Sequence, residues 1–406
     1  MQLVRTWVDE APDPAMVRIS GEVAYRDRRG AETYWFDLPR QHASQITTTG
    51  NAWAVALLPL AAALGEPLEL GLPVDSTVRA NLKELMQIWR SWYPKVRVVP
   101  IVADQADNLP ASEPGRTVTF FSGGLDSFFT LLRDREADGE PPVDDLLWIT
   151  GLDVPLSNPE ACRRASASLQ RVADEAGKTL VIASTNLRET RWNSAGYGVL
   201  AHANGLVGLS LFLEPRWTRV LVASSYGYAF LHPWGSHPLT DRLLSTARTT
   251  VVHDGAGSTR VEKTRTVAVS PLAMRSLRVC WRSASDANCG ACEKCYRTMT
   301  TLWLLGALER CSTFPAGSFD PGRIDRIFCR SEGSAHFMQE IRELALTTGR
   351  GDVVRAIDRA LTRSRRVLRA QAMLKRIGNA VDARMPHRGR WLRERVERRL
   401  LRHALR

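Results

Sequence analysis

Residues 116–136, RTVTFFSGGLDSFFTLLRDRE, decide how the chain is read. Thr117, Val118, Thr119, Phe120 and Phe121 are β-branched or aromatic, as a short buried strand requires, while Phe128, Phe129, Leu131 and Leu132 begin a helical pattern. Between them lies Ser122-Gly123-Gly124-Leu125-Asp126-Ser127. A glycine pair allows positive φ and close approach of backbone to a ligand, and the helix that follows aims its positive dipole end at the same place. Such a turn suits an anion. The serine hydroxyls can add hydrogen bonds to phosphate oxygens, and Asp126 can cap the helix or face a Mg²⁺ that accompanies nucleotide phosphates. Without a ligand the same residues make a capped strand-to-helix turn. No Gly-Lys-Ser/Thr directly follows the glycine pair and the loop has no Gly-x-Gly-x-x-Gly, so it is neither of those two nucleotide fingerprints.

Downstream the chain alternates in βαβ fashion. "DLLWITGLDV", "KTLVIASTNL" and "WTRVLVASSYGYAF" read as strands, and "NPEACRRASASLQRVADEAG" and "GYGVLAHANGLVGLSLFLEP" as helices. The alternation predicts an α/β fold: a doubly wound parallel sheet with ligands at the carboxyl ends of its strands. Residues 151–153, 184–186 and 224–226 then share one rim with the glycine loop. Residues 1–113 read as a separate N-terminal α+β unit, with strands in "MVRISGEVAYRD" and "AETYWFDLP" joined by a polar turn at Arg28, Arg29 and Gly30. Helices follow in "NAWAVALLPLAAALG" and "DSTVRANLKELMQIWRSWYP", the second opened at Asp75/Ser76 and closed by Pro94.

Four of seven cysteines fall in one stretch, Cys280, Cys289, Cys292 and Cys295, as C-x8-C-x2-C-x2-C. Thiolates two residues apart can share one tetrahedral ion through a tight turn, which Gly290 relieves, and four sulfurs suit Zn²⁺. The same ligand set also serves an iron–sulfur cluster. Cys162, Cys311 and Cys329 have no such grouping and read as apolar fillers.

Together the S-G-G-L-D-S loop and the cysteine pattern, over about residues 116–305, resemble the PP-loop ATP pyrophosphatases, and most nearly 7-cyano-7-deazaguanine synthase-like proteins. The resemblance implies an adenine nucleotide alpha hydrolase-like fold for residues 114–345, with ATP and Mg²⁺ as ligands and the four cysteines on structural Zn²⁺. It also implies that ATP is cut between its α and β phosphates, AMP passing to an acceptor carboxylate or carbonyl oxygen that a nitrogen or sulfur nucleophile then attacks. Ser122, Gly123, Gly124, Leu125, Asp126 and Ser127 would hold the phosphates, with Asp126 near the metal. A basic residue ahead of the cysteine helix contacts phosphate in such enzymes, and Arg260 and Lys263 are the positions that match.

His237 lies in "HPWGSHPLTDRLLST", a proline-fixed loop past a rim strand, and is the histidine that substrate could meet. His202, on an apolar helix, reads as structural. Ser236, His253 and Asp241 can be composed into a nucleophile triad, although no nucleophile elbow accompanies them.

The charge is uneven. Residues 351–406 hold 17 Lys+Arg and 5 Asp+Glu, so the whole net charge of +12 resides there and the first 350 residues balance. This basic helical tail, residues 346–406, has apolar residues at helical spacing (Leu361, Leu368, Met373, Leu374, Ile377, Val381), and Pro386 and Gly389 divide it into two helices. Nucleic-acid phosphates, an acidic membrane surface or an acidic protein are its expected partners, and a solvated charged helix is the alternative. A nucleic-acid-modifying enzyme and a catalytically silent ATP-binding module are therefore the alternatives to a small-molecule ligase. No apolar run reaches the roughly 18 residues of a membrane span; residues 52–64 are interrupted by Pro59. No secretory signal is visible, and a cytoplasmic location is expected.

Overall fold

The structure, a computed structural model, describes residues 1–27, 29–106, 115–280 and 287–384, with side chains through residue 376. The expected turn at Arg28, the boundary at 113 and the helix break at Pro386 and Gly389 lie outside the described residues. Two compact units divide the chain, the first Met1–Ser258 and the second beginning at Thr259.

In the first unit the chain runs β1 (Gln2–Glu10), β2 (Met16–Ala24), β3 (Ala31–Pro39), α1 (Asn51–Leu64), β4 (Leu68–Leu70), α2 (Ser76–Trp92) and β5 (Ile101–Val102). It continues through β6 (Arg116–Phe120), α3 (Leu125–Leu132), β7 (Asp145–Thr150), α4 (Pro159–Glu175), β8 (Thr179–Thr185), α5 (His202–Ser210), β9 (Trp217–Ala223), α6 (Pro238–Asp241) and β10 (Thr250–Asp254). The fold is α/β, built on one ten-stranded sheet in the order β10-β9-β6-β7-β8-β3-β2-β1-β4-β5. Pairing is parallel from β10 to β8, antiparallel from β8 through β3 and β2 to β1, and parallel again to β4 and β5.

The separate N-terminal unit expected from sequence is thus half of a shared sheet. Two residue pairs, Phe36↔Thr185 and Asp37↔Ser184, make the join. Asn186 extends it with its side chain, which accepts from Trp35 N and donates to Thr33 O, both at 2.9 Å. Residues 184–186, expected on a ligand rim, are largely spent on this seam. A second stitch comes from Pro59 inside α1. Proline has no N–H for the carbonyl four residues back, and Asn204 Nδ2 from α5 donates to that Val55 oxygen instead, at 2.9 Å. One residue on, Trp192 Nε1 donates to Ala56 O at 2.6 Å.

The pleat assigns the faces. Val118 and Phe120, Leu147 and Ile149, Val181 and Ala183, Val220 and Val222, and Val251 all point to one side, into a core with residues of α1 and α5. Phe36, Trp53 and Phe212 meet there, Trp53 edge to face with both phenylalanines and the two phenylalanines tilted, centroids 4.8 to 5.4 Å apart. The opposite side carries Asp254, which a side chain of α3 reaches.

The second unit is helical: α7 (Arg260–Ala268), α8 (Pro271–Met274), α9 (Glu293–Leu304), α10 (Glu332–Thr347) and α11 (Gly351–Arg384). The expected limit between enzyme domain and tail, 345/346, falls inside α10, and the expected domain of residues 114–345 is shared between the two units. No helix among the described residues is long and apolar enough to cross a membrane.

Candidate functional site

From β6 the chain steps through β7 to β8, then returns to the other side of β6 for β9 and β10. The strand order reverses at β6, and in open α/β sheets such a reversal opens a crevice at the carboxyl ends where ligands bind. The glycine loop leaves β6 at that point. Gly123 has φ of +72°, a left-handed value that favours glycine. Gly124 is the N-cap of α3, and no side chain caps this helix. The expected capping by Asp126 is therefore corrected: the second glycine takes that position, and Asp126 sits half-buried within the first turn, where a carboxylate favours the helix dipole. Ser127 is buried and its hydroxyl donates to Gly124 O at 3.0 Å, so its proton closes the turn.

The next strand end fixes the neighbouring wall. Gly151, just past β7, has φ of +88°, and a Cβ there would come within 1.9 Å of Thr185 O. Past β9, Ser224 is buried and its N–H donates to Asp254 O at 2.8 Å. Asp254, at the end of β10, is the anchor of α3. Its Oδ2 accepts from Thr130 Oγ1 at 2.6 Å, and its Oδ1 accepts from Arg133 and forms an ion pair with Arg135, each at 2.8 Å. Burial alone would raise this carboxyl's pKa, but the Arg133 hydrogen bond, the Arg135 charge and the Thr130 hydroxyl outweigh it and hold the group below the usual aspartate value. Nothing local in the sequence marks this network, whose partners lie some 120 residues apart.

The histidine cluster sorts itself by hydrogen bonding. Asp241 is fully buried, and its Oδ2 accepts from Ser236 Oγ and faces His253 Nδ1, both at 2.7 Å, while Oδ1 accepts from His237 N at 2.9 Å. Ser236 and His253 thus share the carboxylate and are not bonded in series, which rules out the nucleophile triad composed from sequence. The carboxylate holds a proton on His253 Nδ1. His237 instead leaves its Nδ1 bare. Its Nδ1 accepts from Leu239 N at 3.1 Å as the cap of α6, and its ring packs edge-on against Trp92. Burial, followed by the nearby His253, lowers the His237 pKa, so the ring is neutral and offers only Nε2–H. The proline-fixed loop read from sequence here contains α6, one turn long, with Pro238 at its first position. His202 lies between Tyr197 and Trp234, ring centroids 5.1 and 5.3 Å away.

In the second unit the four cysteines converge. Their sulfurs all lie within 4.8 Å of one another, with Cys280–Cys292 at 3.8 Å and Cys289–Cys295 at 3.9 Å. Four thiolates about 2.3 Å from a single tetrahedral ion are separated by about 3.8 Å along each edge. The cluster can therefore hold one metal ion. Gly290 turns the knuckle at φ of +65°, and backbone N–H groups of Cys292 and Cys295 point at the sulfurs of Cys289 and Cys292. Hydrogen bonding from the Cys295 thiol, with its backbone N–H, takes the Cys292 pKa down to about 5 against the effect of burial.

Asn288 is the residue that sequence reading missed here. Buried, it accepts from Val279 N and Cys280 N at 2.8 and 3.1 Å and donates to Leu277 O and Thr313 Oγ1 at 2.9 and 3.0 Å, fixing the Cys280 segment beside the knuckle. An asparagine next to a cysteine is the only signal, and it becomes one only when a lone ligand needs a partner segment. Cys311 and Cys329 are buried and Cys162 half-buried, outside the cluster.

Arg260 and Lys263 open α7. A capping box joins Thr259 and Glu262, and Glu340 Oε2 from α10 accepts from Arg260 N at 2.7 Å and Val261 N at 3.3 Å. The guanidiniums of Arg260 and Arg297 both stack on Phe337, 4.5 and 4.3 Å from its centroid. Lys263 is 1% exposed, a depth at which lysine persists only among compensating groups.

Comparison of the chain with protein-family models, with curated proteins and with solved structures finds no match. The functional reading therefore rests on the site's own residues.

Proposed function

We propose that the chain is an ATP-dependent enzyme that transfers AMP to an acceptor carboxylate or carbonyl oxygen. The acceptor oxygen attacks the α phosphorus, the α–β bridging bond breaks, and pyrophosphate leaves with that bonding pair. A nitrogen or sulfur nucleophile then displaces AMP from the activated carbon. The observation that supports this reading is the placement of S-G-G-L-D-S: a left-handed Gly123 and a Gly124 N-cap at the carboxyl end of β6, where the strand order reverses. That geometry offers backbone N–H groups to phosphate, the N-cap residue having no side chain to compete for them, and preorganised donors of this kind stabilise a leaving pyrophosphate.

In this reading the parallel half is a doubly wound sheet of the adenine nucleotide alpha hydrolase-like type. Ser122, Gly123, Gly124, Leu125 and Ser127 cradle the phosphates and Asp126 faces the Mg²⁺ that enters with ATP. That ion would supply charge neutralisation on the pyrophosphate. Arg260 and Lys263 are the cations assigned to phosphate, and His237 is a donor to acceptor substrate through Nε2–H. The four-cysteine cluster is a structural zinc site, since one tetrahedral ion accounts for its sulfur spacing, whereas an iron–sulfur cluster spreads its ligands over several irons.

The test offers ATP·Mg²⁺ to the full chain with a panel of carboxylate and carbonyl acceptors and ammonium or sulfide, and follows nucleotide products. AMP and pyrophosphate are expected, without ADP, and Asp126→Asn should abolish them. Failure to form AMP with every acceptor, together with unchanged ATP affinity in Asp126→Asn, would overturn the proposal.

A further inference from the structure

Helix α11 changes character part-way along. From Gly351 to Ser364 one side is buried (Val353, Ile357, Ala360, Leu361 and Ser364), and its charges are answered: Asp358 by Arg342 at 2.7 Å and Arg359 by Asp325 at 3.6 Å. Residues 365–376 contain no buried side chain and no acid, but five cations: Arg365, Arg366, Arg369, Lys375 and Arg376. None of the five makes an ion pair among the described residues.

An ordinary solvated helix interleaves signs, as α4 does with Glu160 between the reach of Arg163 and Arg164. Here Arg365 and Arg369 lie one turn apart, and Arg366 and Arg369 three residues apart, spacings at which like charges repel. A surface of this kind is complemented by closely spaced negative charge. At 1.5 Å per residue the five cations extend over roughly 16 Å, about five phosphate steps of one duplex strand. A membrane surface fits less well. Val367, Leu368 and Leu374 are half-buried, and Met373 is the one large apolar side chain of this segment that stands exposed, so the apolar face that insertion requires is not on offer.

We infer that the Arg365–Arg376 stretch of α11 is a docking surface for a nucleic-acid phosphate backbone. The surface is independent of the adenylation chemistry and would bring a nucleic acid to this chain whatever the ATP site does. The experiment is fluorescence anisotropy of the full chain with a labelled 20-nucleotide RNA and a labelled 20-base-pair DNA duplex, titrated from 50 to 200 mM KCl. Five phosphate contacts predict a loss of affinity over that range of about 100-fold for single strands and several hundred-fold for duplex. The full-length variant Arg365→Gln/Arg366→Gln/Arg369→Gln/Lys375→Gln/Arg376→Gln should bind more weakly at every salt concentration, with a log–log slope shallower by up to about 3.5 on RNA. Arg163→Gln/Arg164→Gln, which removes exposed cations of α4, should leave the slope unchanged. RNA or DNA preference identifies the partner. Equal binding by the five-site variant and the wild type, absence of binding at 50 mM KCl, or capture by phosphatidylserine vesicles in place of nucleic acid would each overturn the inference.

Discussion

Asp254→Asn is a sharp test of how the glycine loop is held. The substitution keeps the side chain's size and removes its charge, so no cavity contributes. What is lost is the ionic acceptor for Thr130, Arg133 and Arg135 in a site where Asp254 is nearly inaccessible. Removing one partner from a buried ion pair generally costs about 3–5 kcal/mol. Both arginines keep Glu140, at 2.6 Å each, which places the expected loss near the lower end, about 3 kcal/mol. Guanidinium chloride unfolding followed by circular dichroism would measure it. Because the folded-state pKa of Asp254 is depressed, its contribution is present above the unfolded value of about 3.9 and is lost as pH falls through the folded value. The gap between wild type and variant should therefore be constant from pH 7 to 5 and narrow below about pH 4. Thr130→Val, which removes a single hydroxyl, should cost less, about 1.5–3 kcal/mol. A loss under about 1 kcal/mol at pH 7 for Asp254→Asn, or one that does not respond to acid, would refute the account of α3 as a helix pinned by this carboxylate.

Other outcomes follow from the same contacts. The purified chain should contain close to one zinc, and Asn288→Ala should weaken metal retention about 10- to 100-fold in a chelator competition while leaving all four sulfurs in place. Gly151→Ala should lower the melting temperature far more than Gly139→Ala: both have positive φ, but only at Gly151 would the new methyl meet a backbone oxygen, whereas Gly139 has nothing within 4 Å. Asp145→Asn, at the opposite end of the sheet, removes the buried charge shared by Arg116, Arg216 and Trp217 and should cost about 3–5 kcal/mol in the same unfolding assay. A fluorophosphonate probe should leave Ser236 unlabelled, since its hydroxyl bonds Asp241 and not His253.

The sequence was legible where the physics is local. β6, the glycine turn and α3 follow from residue type at consecutive positions, as do Asn158 capping α4 and Asp75 capping α2. The spacing of the four clustered cysteines is likewise a short-range geometric statement. What escaped was set by distant partners. β1 was not read as a strand because Leu3 is its one buried residue and Val4 and Val8 are exposed, so no inward-facing alternation marks it, and its pairing with β2 is what declares it. The join between β3 and β8 connects residues about 150 positions apart with no motif at either side. Asn204 reads as an anomaly in an apolar helix until Pro59 explains the carbonyl it serves. Asp254 and Asp241 look alike in sequence, yet one anchors a helix with arginines and the other sets a histidine tautomer. Asp126, expected at the cap, lost that place to a glycine whose backbone was already there.

The β3–β8 seam also bears on how the edges of the sheet are protected. A parallel sheet ending at β8 would present seven residues of unpaired backbone, Thr179–Thr185, as a template for a neighbouring chain. β3 covers the carboxyl end of that edge, and the run of strands then finishes on β5, only two residues long. Short or covered edges are poor nuclei for intermolecular pairing. Cleavage ahead of β6 that released the first strands would uncover β8, and the shortened chain should precipitate before it unfolds.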